Sequence, residues 1–307
     1  MPPSNSPRLL RRILAGAECV TATSLFDPIS ARIAQSLGFE VGVIGGSVAS
    51  CAVLGAPDLI LLTMTELVEQ ARRVCRAAPL QVIVDADHGY GNALNVMRTV
   101  QELQAAGVAG ITIEDTLLPR AFGSPAAAQL VSLEEGVGKM KAALKGRGAG
   151  DTLVFGRTSA ASVTGVDDAI RRLLAYQAVG VDALFVPGLK RREDLDRIAQ
   201  AVRLPLVIGG APAQMQDPQY LAARGVRVWL WGHQPFAAAV GALYEAMRAV
   251  RDGAAPDKIT DRATDRATDK ATDKATDKAF AAGSDALLRQ FTDAAGYEAL
   301  TRDLLGG

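Results

Sequence analysis

Histidine is scarce in this chain. There are two among 307 residues, His88 and His233, so any imidazole chemistry rests on those positions. Cysteine is almost as rare. Cys19, Cys51 and Cys75 make an odd set without CxxC spacing, which argues against a disulfide framework or a thiolate metal site and predicts reduced thiols in a cytoplasmic setting. No stretch approaches the roughly 20 continuous apolar residues of a membrane span. The opening MPPSNSPRLLRRILAGAECV has an apolar patch too short and too interrupted for a signal peptide. It reads as an amphipathic helix with Leu9, Leu10, Ile13 and Leu14 on one side. Neither sign of charge is in excess, with 33 basic against 33 acidic residues. Neither nucleic acid nor a membrane surface is therefore expected as a partner. No GxGxxG follows the first strand-like run, which ends in SLFDPIS, so a dinucleotide-binding sheet has no support.

What the chain does have is alternation. Short runs apolar on both faces recur at 19–24, 40–46, 80–87, 109–115, 152–158, 183–188, 204–210 and 227–233. Such runs suit parallel strands buried on both sides. Helical patterns separate them. In ALNVMRTVQELQAAG, Leu94, Met97, Val100, Leu103 and Gln104 recur about once per turn, and Gly38, Gly107, Gly180 and Gly225 stand where helices end. Eight such units predict an α/β fold, a (β/α)8 TIM-type barrel over residues 1–253. Residues 260–279 are five copies of TDRA or TDKA. Their period of four builds no lasting apolar face, so a low-complexity linker is expected over 254–282. An amphipathic helical tail is expected over 283–307.

In this fold the chemistry sits where the strands end. The segment VDADHGYGNA, residues 84–93, ends one apolar run in two carboxylates. On a strand, Asp85 and Asp87 would share a face. Two such acids repel unless a cation sits with them, and Mg2+ meets one or two carboxylates directly and keeps its waters. Glu114 ends the next run and Asp58 follows the second, both placed to hold metal-bound waters. The alternative is a solvated strand end with salt bridges. His88, beside a Gly-Tyr-Gly turn, suits a supporting role. His233 ends the eighth run, placed for proton handling or for a simple backbone contact. Arg157 offers a fork for a carboxylate, or a partner for an acid within the mouth. Gly45-Gly46-Ser47 offers N–H groups and a hydroxyl to an anion. Together these suit a small α-keto or α-hydroxy acid chelated by a metal that stabilises an enolate.

Three segments carry a resemblance: FDPISARIAQSLGFEVGVIGGSVAS, VDADHGYGNALNVMRTVQELQAAGVAGITIEDTLLPRAFG and LVSLEEGVGKMKAAL. They resemble the isocitrate lyase/phosphoenolpyruvate mutase superfamily, and within it the bacterial oxaloacetate decarboxylase family. The resemblance implies an (α/β)8 barrel that binds Mg2+, with Mn2+ as the alternative ion, and forms homotetramers that exchange a C-terminal helix. It implies a 2-oxo acid substrate, oxaloacetate, decarboxylated to pyruvate and CO2. By position, Asp85 would bind the metal directly, and Asp58, Asp87 and Glu114 its waters. Gly46 and Ser47 would hold the substrate carboxylate, while Arg157 and His233 would contact substrate and act in catalysis. The loop LLPRAFG lacks the cysteine of isocitrate and methylisocitrate lyases, which disfavours their chemistry. GRTSA and GGAPAQ depart from the family's usual ARTNA and its tyrosine- and asparagine-bearing loop. Two other readings remain open: a C–C or P–C lyase on a related 2-hydroxy or phosphono acid, and a non-catalytic keto-acid-binding barrel.

Overall fold

Eight strands close into one parallel barrel, in chain order around the ring. They are β1 (Val20–Ser24), β2 (Val41–Ile44), β3 (Gln81–Asp85), β4 (Gly110–Glu114), β5 (Leu153–Arg157), β6 (Ala183–Pro187), β7 (Leu206–Gly209) and β8 (Val226–Leu230). Each expected run meets one strand, the eighth strand beginning one residue ahead of its run. The structure is a computed structural model describing residues 7–125, 127–255 and 274–306, with backbone alone for 274–282. The helices are α1 (Arg8–Ala15), α2 (Pro28–Ser36), α3 (Gly46–Leu54), α4 (Met64–Ala77), α5 (Ala93–Ala105), α6 (Leu133–Arg147), α7 (Ala160–Val163), α8 (Val166–Val179), α9 (Arg192–Ala201), α10 (Pro218–Ala223), α11 (Gln234–Arg251), α12 (Lys274–Phe291) and α13 (Ala294–Leu305). None of them, among the described residues, is long and apolar enough to cross a membrane.

The core has two shells because each strand is buried on both faces. Val43, Ile83, Phe155, Phe185 and Val207 fill the barrel, while Val84, Ile111, Ile113, Leu103 and Met140 pack between strands and helices. The first helix closes the end where the strands begin. Its Leu10 and Leu14 are buried in the inner shell, and the Leu10 N–H donates to Gln81 Oε1 at 3.2 Å. Burying each leucine contributes about 1.5–3 kcal/mol. That plug leaves the opposite end of the barrel as its mouth.

Two expectations change. Leu94 is 72% exposed, and α5 buries Val96, Thr99, Val100 and Leu103 instead. At 100° per residue Leu94 lies about 200° round from Val96, so once Val96 faces inward Leu94 faces water. The second concerns the repeat. Residues 256–273 lie outside the described residues, and α12 begins at Lys274, within the fourth four-residue copy. α12 packs along α11, with Tyr244 and Phe291 ring centroids 5.8 Å apart. α13 ends against the loop after β4, where the Gly123 N–H donates to Leu305 O at 2.6 Å.

Candidate active site

Strand register decides which polar residues meet at the mouth. Pairing sets Asp85 beside Thr112 and Glu114 beside Arg157. Thr112 Oγ1 donates to Asp85 Oδ1 at 2.8 Å, and the Arg157 guanidinium donates to Asp85 Oδ2. Arg157 Nε also stands 3.0 Å from Glu114 Oε2. The geometry there does not make a hydrogen bond, so both buried atoms lack such a partner among the described residues. The guanidinium carbon lies 5.3 Å from the Phe185 ring centroid, a cation–π contact with the barrel interior.

Asp87 reaches the mouth by a different route from the one its spacing suggested. β3 ends at Asp85, and Asp87 takes φ 47°, so strand alternation does not place it. A tight turn does. Its carbonyl accepts from Glu114 N–H at 2.8 Å, and its N–H donates to Asp85 Oδ1 at 3.3 Å. Its carboxylate comes up against Gly46, where an added Cβ would lie 2.6 Å from Asp87 Oδ1.

Four carboxylates therefore face one guanidinium. Burial, then the charges of Asp85, Asp58 and Glu114, push the Asp87 carboxyl well above its ordinary range. Burial is also the main cause at Glu114, raised to about 7 against the opposing pull of Arg157. Asp58 lies on the rim with one side open to water. The atoms packed around it, and then the charge of Asp85, push it upward too. The Tyr90 hydroxyl, buried and without a hydrogen-bond partner, lies in the field of the same acids.

Half of what Gly45 and Gly46 offer is the row of N–H groups expected there. α3 starts at Gly46 with no side-chain cap, so its first N–H groups, at Gly46, Ser47 and Val48, have no acceptor within the helix. That end favours an anion. The other half is clearance. A Cβ on Gly45 would lie 2.5 Å from His233 Cε1. His233 thus packs across the mouth against β2, and Ser24 Oγ, at the end of β1, lies 2.8 Å from its Nδ1. Burial, assisted by the charge of Arg157 and opposed by Asp85, lowers the His233 pKa and favours the neutral ring at pH 7.

Ser47 and His233 line one cleft of about 310 Å3 that also takes Cys51, Phe236, Ser284 and Leu288, the last two from α12. His88 stays out of the candidate site: it is buried, its ring sits 5.8 Å from that of Tyr90, and burial lowers its pKa to about 4. The structure therefore brings Asp58, Asp85, Asp87, Glu114 and Arg157 into one charged cluster, with Gly46 against Asp87, His233 against Gly45, and Ser47 in the adjoining cleft. Thr112 and Ser24 were missed as partners. Thr112 was findable, because it stands two residues before Glu114 and so shares its face. The Ser24 contact depends on barrel closure.

No three His, Cys, Asp or Glu side chains converge as a preformed ligand set among the described residues. The donors present are carboxylate oxygens carrying excess negative charge around a single arginine. That chemistry fits a hard divalent ion holding most of its waters rather than a thiolate or imidazole metal.

Comparison with known proteins shows the chain's relatives. The family model for phosphoenolpyruvate phosphomutase matches residues 10–251. A protein of Bradyrhizobium sp. (strain BTAi1) named oxaloacetate decarboxylase is 61% identical over 251 residues, covering 82% of this chain and 87% of that protein. A solved structure of oxaloacetate acetylhydrolase with the inhibitor 3,3-difluorooxalacetate superposes with a TM-score of 0.74 at 26% identity, covering 85% of this chain and 93% of that one. Phosphonopyruvate hydrolase complexed with oxalate and Mg++ superposes with a TM-score of 0.72 at 26% identity, covering 96% and 97%.

Proposed function

Since the chain belongs to the phosphoenolpyruvate phosphomutase family, we propose that it is a carboxy-lyase that decarboxylates oxaloacetate to pyruvate and CO2 with the help of Mg2+. The observation that carries this reading is the mouth itself: four carboxylates round one arginine, with His233 a glycine's width away. Asp85 would hold the ion, and Asp58, Asp87 and Glu114 its waters. Bound there, a divalent cation supplies Lewis-acid stabilisation of the negative charge that develops on the 2-oxo oxygen.

The protein's own groups do the rest. The free N–H groups of α3 and the Ser47 hydroxyl bind a substrate carboxylate, aided by the helix dipole. Arg157, desolvated and rigid, orients the 2-oxo acid. As the C3–C4 bond breaks, CO2 leaves and the electron pair stays on C3, which then takes a proton. His233, whose Nδ1 lies by Ser24, takes up a proton from solvent and delivers it directly or through a water, returning to its neutral ring. Assembly into a homotetramer is part of the same reading. It is supported by exposed apolar stripes at Ile29, Ile33 and Leu37 around α2, and at Leu243, Met247 and Val250 on α11.

The deciding experiment incubates purified protein with oxaloacetate and Mg2+, with and without EDTA. Pyruvate release well above the metal-only background, lost on chelation, is expected. Release equal to that background would sink the reading.

A further inference from the structure

The turn that carries Asp87 is held by four donors in a row. Ala86 O accepts from Gly89 N–H at 2.8 Å and Asp87 O from Glu114 N–H at 2.8 Å. His88 O accepts from Lys139 Nζ at 2.8 Å, and Gly89 O from Thr99 Oγ1 at 3.1 Å. The last two donors are side chains from outside the turn, on α6 and α5. The turn needs such holding, because Asp87 and Tyr90 both take positive φ, 47° and 62°. Non-glycine residues keep such conformations only where their surroundings enforce them.

Lys139 is the unusual member. Its side chain is 2% exposed, and among the described residues it forms no ion pair. A buried ammonium with one carbonyl partner is costly, and an apolar residue would serve the fold of α6 better. What the ammonium adds is a charge-assisted donor, stronger than a neutral one. The acids facing it are Glu135 on its own helix, and Glu114 and Asp115 at the end of β4.

We propose that Lys139 is a positioning residue: its ammonium clamps the 86–89 turn and thereby holds the Asp87 carboxylate against Gly46, in the place from which it serves a divalent cation at the mouth. The inference rests on the reading of the mouth as a cation site. The full chain is titrated with Mn2+ alone by calorimetry or electron paramagnetic resonance, as wild type, Lys139→Met and Lys139→Arg. Hydrogen exchange of the 85–92 peptide is followed in the metal-free proteins.

Lys139→Met is expected to raise the Mn2+ Kd by roughly 10- to 100-fold, in the range seen when groups that orient metal ligands are removed. It should also speed exchange in 85–92 while leaving peptides of β5 and β6 unchanged, and Lys139→Arg should recover most of both. A variant Kd within twofold of wild type, with unchanged exchange, overturns the proposal. If Lys139→Met does not fold, Lys139→Gln, neutral and one atom shorter, is judged by the same two readouts. Failure of the wild-type protein to bind Mn2+ would instead count against the cation site itself, and the exchange measurement would still decide whether Lys139 clamps the turn.

Discussion

The two ends of this barrel hold the same kinds of groups and use them oppositely. Where the strands begin, Asp182 accepts from Val154 N–H at 2.8 Å and from Arg147 at 2.6 Å, with Arg11 at 3.5 Å. One acid there meets three donors. Where the strands end, four acids share one guanidinium, and Glu114 Oε2, Arg157 Nε and the Tyr90 hydroxyl have no hydrogen-bond partner among the described residues. A satisfied buried carboxylate serves the fold. Buried acids crowded around one guanidinium repel one another, and a cation that joins them relieves that repulsion. Asp182, where the strands begin, is matched by its donors, and Asp87 and Glu114, where they end, are crowded by like charge.

The sharpest way to break this comparison is Asp85→Ala. It should reduce oxaloacetate turnover to background. In EDTA it should stay folded and melt close to wild type, because relief of the repulsion among the acids offsets the loss of the bonds from Arg157 and Thr112. A large loss of stability would mean that the mouth is structural after all. The mirror experiment is Asp182→Ala. It should cost about 1–3 kcal/mol in denaturant unfolding, because the buried Val154 N–H loses its acceptor, while folded protein keeps its kcat. A third variant probes proton handling. His233→Gln should lower kcat by about 100-fold, while oxalate, an enolate mimic, binds within a few-fold of wild type.

The smallest effect is on pH dependence. Glu114 binds its proton more tightly in the fold, at about 7 against an ordinary 4.5. The stability its neutral form contributes is complete below about 4.5 and lost as pH rises through about 7. Metal-free protein should thus melt at progressively lower temperature from pH 5 to pH 8. Glu114→Gln should flatten that slope, and Mg2+ should oppose it. An identical slope in the variant would show that Glu114 does not titrate as described.

Much of this was legible in the residues. The strands could be read because burial on both faces leaves unbroken apolar runs, and the third, fourth and fifth runs end in the acids and the arginine that meet at the mouth. Asp85, Glu114 and Arg157 were accessible for that reason. Asp87 was right in place and wrong in cause, since alternation cannot foresee a left-handed turn held by Lys139 and Thr99. The Leu94 misreading has a similar origin. Helical spacing names a stripe, and only the packing of Val96 beneath Gly89 says which way the helix is rotated.

The sequence by itself determined the local matters: which segments extend, which coil, and that acids, an arginine and a histidine stand at strand ends. These follow from neighbours a few residues apart. Only the tertiary structure decided the pairings. Arg157 meets Asp85 across 72 residues, and His233 meets Ser24 across 209, because the eighth strand closes onto the first. It also decided that Gly45 and Gly46 must lack side chains. That requirement comes from the imidazole and the carboxylate that other strands press against them, and nothing in the local chain encodes it.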